Sequence, residues 1–310
     1  MSASGSVLTV NVPNGFDLAA AVCSYGYFVL APNHWDAARS RLHRPLRGAG
    51  GRLIRTSIHQ RRPGKLAIRC DAPVNRAEAS TIRSQVRRML RVDEEFDEWH
   101  RVHRAARRAG FGRLFRSPDL FEDAIKTITG CNVSWPNTIR MNQLLCRNVG
   151  GGGFPTPDEL GSMRPSQLKR MCKVGYRAER IIALSRRVAR GELDLSWFED
   201  VSRTTQQIAE GFGAIHGIGP YAAANLCQSV GRYDRLAIDS ETYRHFRQVH
   251  GVPTTKNKAA VDRRICRHYD KYAPYQFLAY WFELWTGYQE QVGDSRQCEA
   301  DDEGARLTAR

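Results

Sequence analysis

Three short runs near the start of the chain alternate apolar and polar residues with the period of a half-buried strand. Leu8, Val10 and Val12 alternate with Thr9 and Asn11; Ile54, Thr56 and Ile58 repeat the pattern, as do Leu66, Ile68 and Cys70. A helix is expected next. Asn75 and Glu78 stand at capping-box spacing, and Ile82, Val86, Met89 and Leu90 supply a buried stripe, with Arg83, Arg87 and Arg91 read as a solvated face.

Beyond about residue 100 the period changes to that of helices. "SPDLFEDAIKTI" offers Ser117 as a cap, Pro118 at the first helical position and a stripe through Leu120, Phe121, Ala124, Ile125 and Ile128. Gly150 to Gly153 interrupt the pattern; Thr156 and Glu159 restart it at capping-box spacing, and "AERIIALSRRVARG" closes at Gly191. The expected fold class is α+β, an N-terminal antiparallel sheet domain with a larger all-helical body. The expected divisions are an α+β domain over 1–100, a helical domain over 101–295 and a disordered tail over 296–310, the last because the segment is polar and lacks aromatics.

Charge adds a partner to this outline. The 47 lysines and arginines exceed the 32 acidic residues, for a formal net charge of +15. Arginine's planar fork of donors suits phosphate oxygens, and a large positive excess favours polyanions, so nucleic acid is the leading partner. The eight cysteines are scattered without a Cys-x-x-Cys pair, which argues against zinc or iron–sulfur ligation and for reduced thiols in a cytoplasmic protein. No signal peptide and no run of membrane-spanning length stands out; a monomer is expected.

The chemistry begins at "AIHGIGPYAAANLC". Ile215-His216-Gly217-Ile218-Gly219 separates two helical stretches in a hairpin spanning 204–231, and Pro220 suits the first position of the second helix. N–H groups at that helix start can hold a phosphate, and the carbonyls of Ile215 and Gly217 are candidates for a monovalent cation. Such a contact grips DNA without reading its sequence.

With the hairpin, "RLAIDSETYRHF" places Asp239 twenty residues after Gly219. On these residues the chain resembles the helix-hairpin-helix DNA glycosylase superfamily, over roughly residues 7 to 290. "GCNVSW", "VGYRAERI", "PYQFLAYWFELW" and the "PNHW" segment are similar to parts of the 3-methyladenine DNA glycosylase II and 8-oxoguanine DNA glycosylase branch. The resemblance implies excision of a damaged base from duplex DNA. It implies Asp239 as the catalytic carboxylate, Ile215, Gly217, Gly219 and Tyr221 as DNA contacts, Tyr176 as wedge and Asn132 as gap filler. Tyr221, Gln276, Tyr280 and Trp281 become base-pocket residues. Each also has a plain structural reading: Asp239 as a helix cap, Tyr176 as packing, Asn132 as a helix end, and Tyr280, Trp281 and Trp285 as core.

Two departures from the family pattern sharpen the expectation. Where bifunctional members carry a nucleophilic lysine, this chain has Tyr221, which cannot form a Schiff base, and no lysine lies between Lys173 and Lys256. The implied enzyme is therefore monofunctional, with no cofactor and no metal beyond the hairpin cation. Asn225 stands where the 8-oxoguanine enzymes carry a pocket cysteine. An alkylated purine is the first substrate expected; an oxidised guanine, or a non-catalytic DNA-binding module, are the alternatives.

Overall fold

The structure, a computed structural model, describes residues 5–251 and 257–297. The described residues divide into two compact units, one formed by 5–95, 113–194 and 292–297, the other by 96–112, 195–251 and 257–291. The last strand ends at Cys70, and helices follow it. Residues 298–310 of the expected tail lie outside the described residues, whereas Arg296 and Gln297 belong to a single 3-10 turn whose Arg296 carbonyl accepts from the Trp35 indole at 3.1 Å.

The first unit carries a five-stranded antiparallel sheet, β1 (Val7–Asn11), β2 (His34–Asp36), β3 (Arg41–Arg47), β4 (Leu53–Arg62) and β5 (Lys65–Cys70), in the order β1-β5-β4-β3-β2. The register places Leu42 opposite Ile58 and Ile58 opposite Ile68, so one face collects the buried positions of three strands. The three alternating runs read from the sequence are β1, β4 and β5. Strand β3 escapes that reading because its inward positions are Leu42, Arg44 and Leu46. An arginine in a core position breaks the apolar count, and Pro45 argues against a strand. Proline is accommodated because β2 pairs only as far as His43, which leaves that side of Pro45 without a neighbour.

Arg44 is buried at 2% exposure against Glu122, which also pairs with Lys126 at 2.7 Å. Glu122 and Lys126 project from the Leu120–Gly130 helix. The N-cap of that helix is Asp119, accepting from Glu122 N at 2.9 Å, and not Ser117. Ser117 is buried just upstream, with its N–H bonded to Asp123. Arg91 also departs from its expected solvated face: it lies past the end of the Arg76–Met89 helix, 1% exposed, where it donates to Leu114 O and pairs with Glu94. The capping boxes at Asn75/Glu78 and Thr156/Glu159 form as expected.

The second unit is helical. Its core includes Phe198 stacked on Phe212, and the Pro220–Ser229 helix, every residue of which from Ala222 onward is buried. Its small side chains, Ala222 to Ala224, let this short helix pack inside even though it carries Asn225, Gln228 and Ser229. Two further helices, Ser240–His250 and Gln276–Val292, bear the residues of interest. Among the described residues no helix is long and apolar enough to cross a membrane. The α+β class, with a sheet near the N-terminus and helices beyond it, is what the sequence pattern led one to expect.

Candidate active site

The hairpin is built as its spacing implies. Thr204 caps the Thr205–Gly213 helix through a capping box with Gln207. The turn closes with Ile218 N donating to Ile215 O at 3.0 Å, while Ile215 and Ile218 anchor it by burial. Gly217 adopts φ +88°, a conformation that a side chain would strain. Gly219 differs. It is the N-cap of the Pro220–Ser229 helix at φ −89°, and a Cβ built there would meet nothing within 4 Å. The fold therefore does not demand glycine at 219, where open space lies before an N-terminus that, among the described residues, no side chain caps.

Asp239 is the N-cap of the Ser240–His250 helix, so the capping role read from the sequence is real. Its Oδ1 accepts from Thr242 N at 2.9 Å and from the Thr242 hydroxyl at 3.0 Å. Thr242 Oγ1 in turn lies 2.9 Å from the Tyr280 hydroxyl. A threonine hydroxyl has one proton; with that proton on Asp239, the Tyr280 phenol is the donor to Thr242. The result is a buried relay, Tyr280 to Thr242 to Asp239, crossing from the Gln276–Val292 helix to the cap.

The capping role is not exclusive. Asp239 is half-buried, and among the described residues no cation pairs with it. Burial pushes its carboxyl above the ordinary aspartate value, the bonds from Thr242 opposing and the neighbouring Glu241 charge adding to the rise. The Tyr280 phenol is raised well above its usual range, first by burial and then by the Asp239 charge; Tyr221 of the hairpin helix acts on it too. Tyr280 is thus bonded towards Asp239 through Thr242.

The remaining pocket candidates lie along the Gln276–Val292 helix. Gln276 stands one turn before Tyr280, and its buried side-chain oxygen has no hydrogen-bond partner. An unsatisfied buried acceptor calls for an explanation. Phe277, Trp281 and Trp285 form a ladder at helical spacing, with centroids 6.3 and 5.8 Å apart and interplanar angles of 8° and 20°. Trp285 is buried, which is the core role weighed for it; Trp281 is half-buried. Asn225 is buried one turn after Tyr221.

Tyr176 and Asn132 belong to the first unit, where Arg177 touches both. Tyr176 is 50% exposed, with the guanidinium groups of Arg177 and Arg180 over its ring at 4.6 and 4.9 Å. Asn132 is exposed at φ +50°, just past the Leu120–Gly130 helix. Arg177, 5% exposed, donates to the carbonyls of both Cys131 and Asn132. Sequence reasoning did not single out Arg177, nor Thr242. Their roles are contacts made over 45 and 38 residues, which no local spacing displays.

No model of a known protein family matches the chain, and no curated protein matches its sequence. Solved structures do. MBOgg1, solved with a low-affinity DNA ligand, aligns over 94% of this chain and 99% of its own with a TM-score of 0.68 and 16% identity. The 3-methyladenine DNA glycosylase of Archaeoglobus fulgidus aligns over 92% and 99%, at 0.69 and 14%. The 8-oxoguanine glycosylase/lyase of Clostridium acetobutylicum, in complex with duplex DNA, aligns over 85% and 92%, at 0.57 and 17%. The chain therefore shares the fold of these solved DNA glycosylases.

Proposed function

We propose that the protein is a monofunctional DNA glycosylase that hydrolyses the N-glycosidic bond of a damaged purine flipped out of duplex DNA. One observation carries the reading: a half-buried carboxylate without a cation, held by the Thr242–Tyr280 relay at a helix N-terminus twenty residues after the phosphate-ready hairpin. Departure of a base builds positive charge on the deoxyribose, and a fixed carboxylate left uncompensated in a desolvated site is suited to stabilise it. Asp239 also serves to orient or deprotonate the attacking water.

The other residues take supporting parts. The uncapped N-terminus behind Gly219 accepts a backbone phosphate, and the carbonyls of Ile215 and Gly217 hold a monovalent cation against it. Tyr221 occupies the position at which a lyase would need its amine, so the C1′ carbon that loses the base is left to water. In the first unit, Tyr176 is the wedge and Asn132 the gap filler, with Arg177 fixing the Asn132 turn. Wedge stacking is worth roughly 1–3 kcal/mol per base, which offsets much of the few kcal/mol that extrusion costs.

The first substrate class is an alkylated purine, whose electron-poor ring is attracted to the faces of Tyr221 and Trp281. A specific observation favours oxidised guanine as a second reading: the unpartnered oxygen of Gln276 is an acceptor waiting for a purine N–H. The deciding experiment compares Asp239→Asn with the parent protein on lesion-bearing duplexes. Base excision is expected to fall by about 10³-fold or more while DNA affinity changes little; full turnover by the variant would reject the assignment. DNA affinity itself is expected to weaken steeply with added salt.

A further inference from the structure

Beyond the Asp239 end of the Ser240–His250 helix, three ligand-type side chains converge. Nε2 of His245 lies 2.7 Å from Glu283 Oε1, and Nε2 of His250 lies 2.6 Å from the same oxygen. The donor atoms of the three residues all fall within 4.8 Å of one another. From this convergence we propose a binding site for one divalent transition-metal ion of the zinc type, held by His245, His250 and Glu283.

The hydrogen-bond arithmetic is the first argument. Glu283 Oε1 also receives the Tyr269 hydroxyl at 3.2 Å, so three donors crowd one carboxylate oxygen that has two lone pairs. A cation at the point where the two imidazoles and the carboxylate meet removes that conflict, because neutral imidazole nitrogens then present lone pairs instead of competing protons. The second argument is ligand type. Two imidazoles and one carboxylate suit zinc, with bonds of about 2.0–2.2 Å and donors some 3.4 Å apart. Each histidine would separate from Glu283 Oε1 by roughly 0.7 Å, within reach of side-chain rotation.

Local structure explains how the residues meet. Five residues apart on a helix lie about 140° around the axis, so His245 and His250 would not ordinarily share a partner. His250 is the last helical residue, followed by Gly251 at φ +60°, and from that end its Nε2 reaches Glu283. Burial grades from His245, with 7% of its side chain exposed, through His250 at 22% to Glu283 at 31%. A cavity of about 620 Å³, lined by His103, Arg244, His245, Gln248, Phe282 and Glu283, gives an ion access and leaves space for water as a further ligand. His268 packs on His250 with ring centroids 4.2 Å apart and stands outside the ligand set.

The ion would tie the helix capped by Asp239 to the helix bearing Gln276 and Tyr280. That role is structural, and it stands whether or not the glycosylase reading does. The full-length protein stripped with EDTA is titrated with zinc chloride and, separately, cobalt(II) chloride. One zinc per chain is expected, with an unfolding midpoint raised by about 5 °C and visible cobalt bands of low coordination number. His250→Gln lowers zinc affinity by more than about tenfold, while His268→Asn leaves it near the parent value. The site is refuted if the stripped, folded parent takes up no stoichiometric zinc and shows no cobalt bands, or if His250→Gln binds zinc as the parent does.

Discussion

Two carboxylates, one in each compact unit, are taken out of water in opposite ways. Glu122 is buried between the guanidinium of Arg44 and the ammonium of Lys126, whose nitrogen also lies 5.8 Å from the ring centroids of Tyr27 and Phe154. Burial pushes the Glu122 carboxyl up, but the two cations prevail and hold it below the usual glutamate value. Among the described residues Asp239 receives only hydroxyl and backbone donors, and burial leaves it above the usual aspartate value. The difference separates a charge that is spent inside the fold from one kept for a partner. Glu122 meets two cations inside the fold; on the proposed reading, Asp239 meets its positive charge only when DNA arrives.

Substitution is expected to split the pair cleanly. Glu122→Gln leaves Arg44 and Lys126 without their anion and lowers stability by about 3–5 kcal/mol. Asp239→Asn removes an uncompensated charge and installs another good N-cap residue, so stability stays within about 0.5 kcal/mol of the parent or rises. Denaturant melts of the two variants check this; equal losses would erase the distinction.

The wedge gives the next effect. Tyr176→Ala removes an exposed ring, so the melt is unchanged, while lesion binding weakens by about tenfold or more, from roughly 1–3 kcal/mol of lost stacking. Titration of binding to lesion and undamaged duplexes checks it. If both affinities stay at parent values, Tyr176 is packing.

The pH dependences should run in opposite senses. A folded-state pKa raised above the unfolded value of about 3.9 means that native Asp239 holds its proton more tightly. Its contribution to stability is greatest below that value and falls as pH rises through the raised folded value. Glu122, lowered, contributes stability above the unfolded glutamate value of about 4.3, and that contribution is lost as pH falls. Excision follows ionised Asp239, so the rate should drop on the acid side at a pH above the ordinary aspartate range. Melts and single-turnover rates across acid pH test both; an acid limb at or below the ordinary range would contradict the burial of Asp239.

The smallest difference expected lies within the hairpin. Gly217→Ala costs about 1 kcal/mol or more of stability through its positive φ. Gly219→Ala costs almost none, because its Cβ meets nothing, yet it weakens DNA binding by standing where a phosphate approaches. Paired melts and salt-dependent binding curves separate the two glycines.

These contrasts also mark what the sequence made legible. β1, β4 and β5, the hairpin and the Asp239 cap follow from periodicity and spacing, since each is a local pattern. β3 stayed hidden because the carboxylate that makes Arg44 tolerable in a core position, Glu122, lies 78 residues away. The Tyr280–Thr242 bond, the Arg177 tie to Asn132 and the meeting of His245, His250 and Glu283 are likewise products of the fold. The histidines stand five apart and their carboxylate partner 33 residues further on, a spacing that matches no familiar ligand pattern.

The central claim is that the Asp239 site releases a base by hydrolysis and does nothing further to the strand. Duplex oligonucleotides carrying alkylated, oxidised or deaminated bases, incubated with excess protein, test it through free base and strand breaks scored separately. The account predicts free base from at least one purine lesion, intact strands until alkali is added, and no adduct trapped by borohydride. Strand cleavage in step with base release, or no base released from any lesion while the duplex is bound, would contradict it.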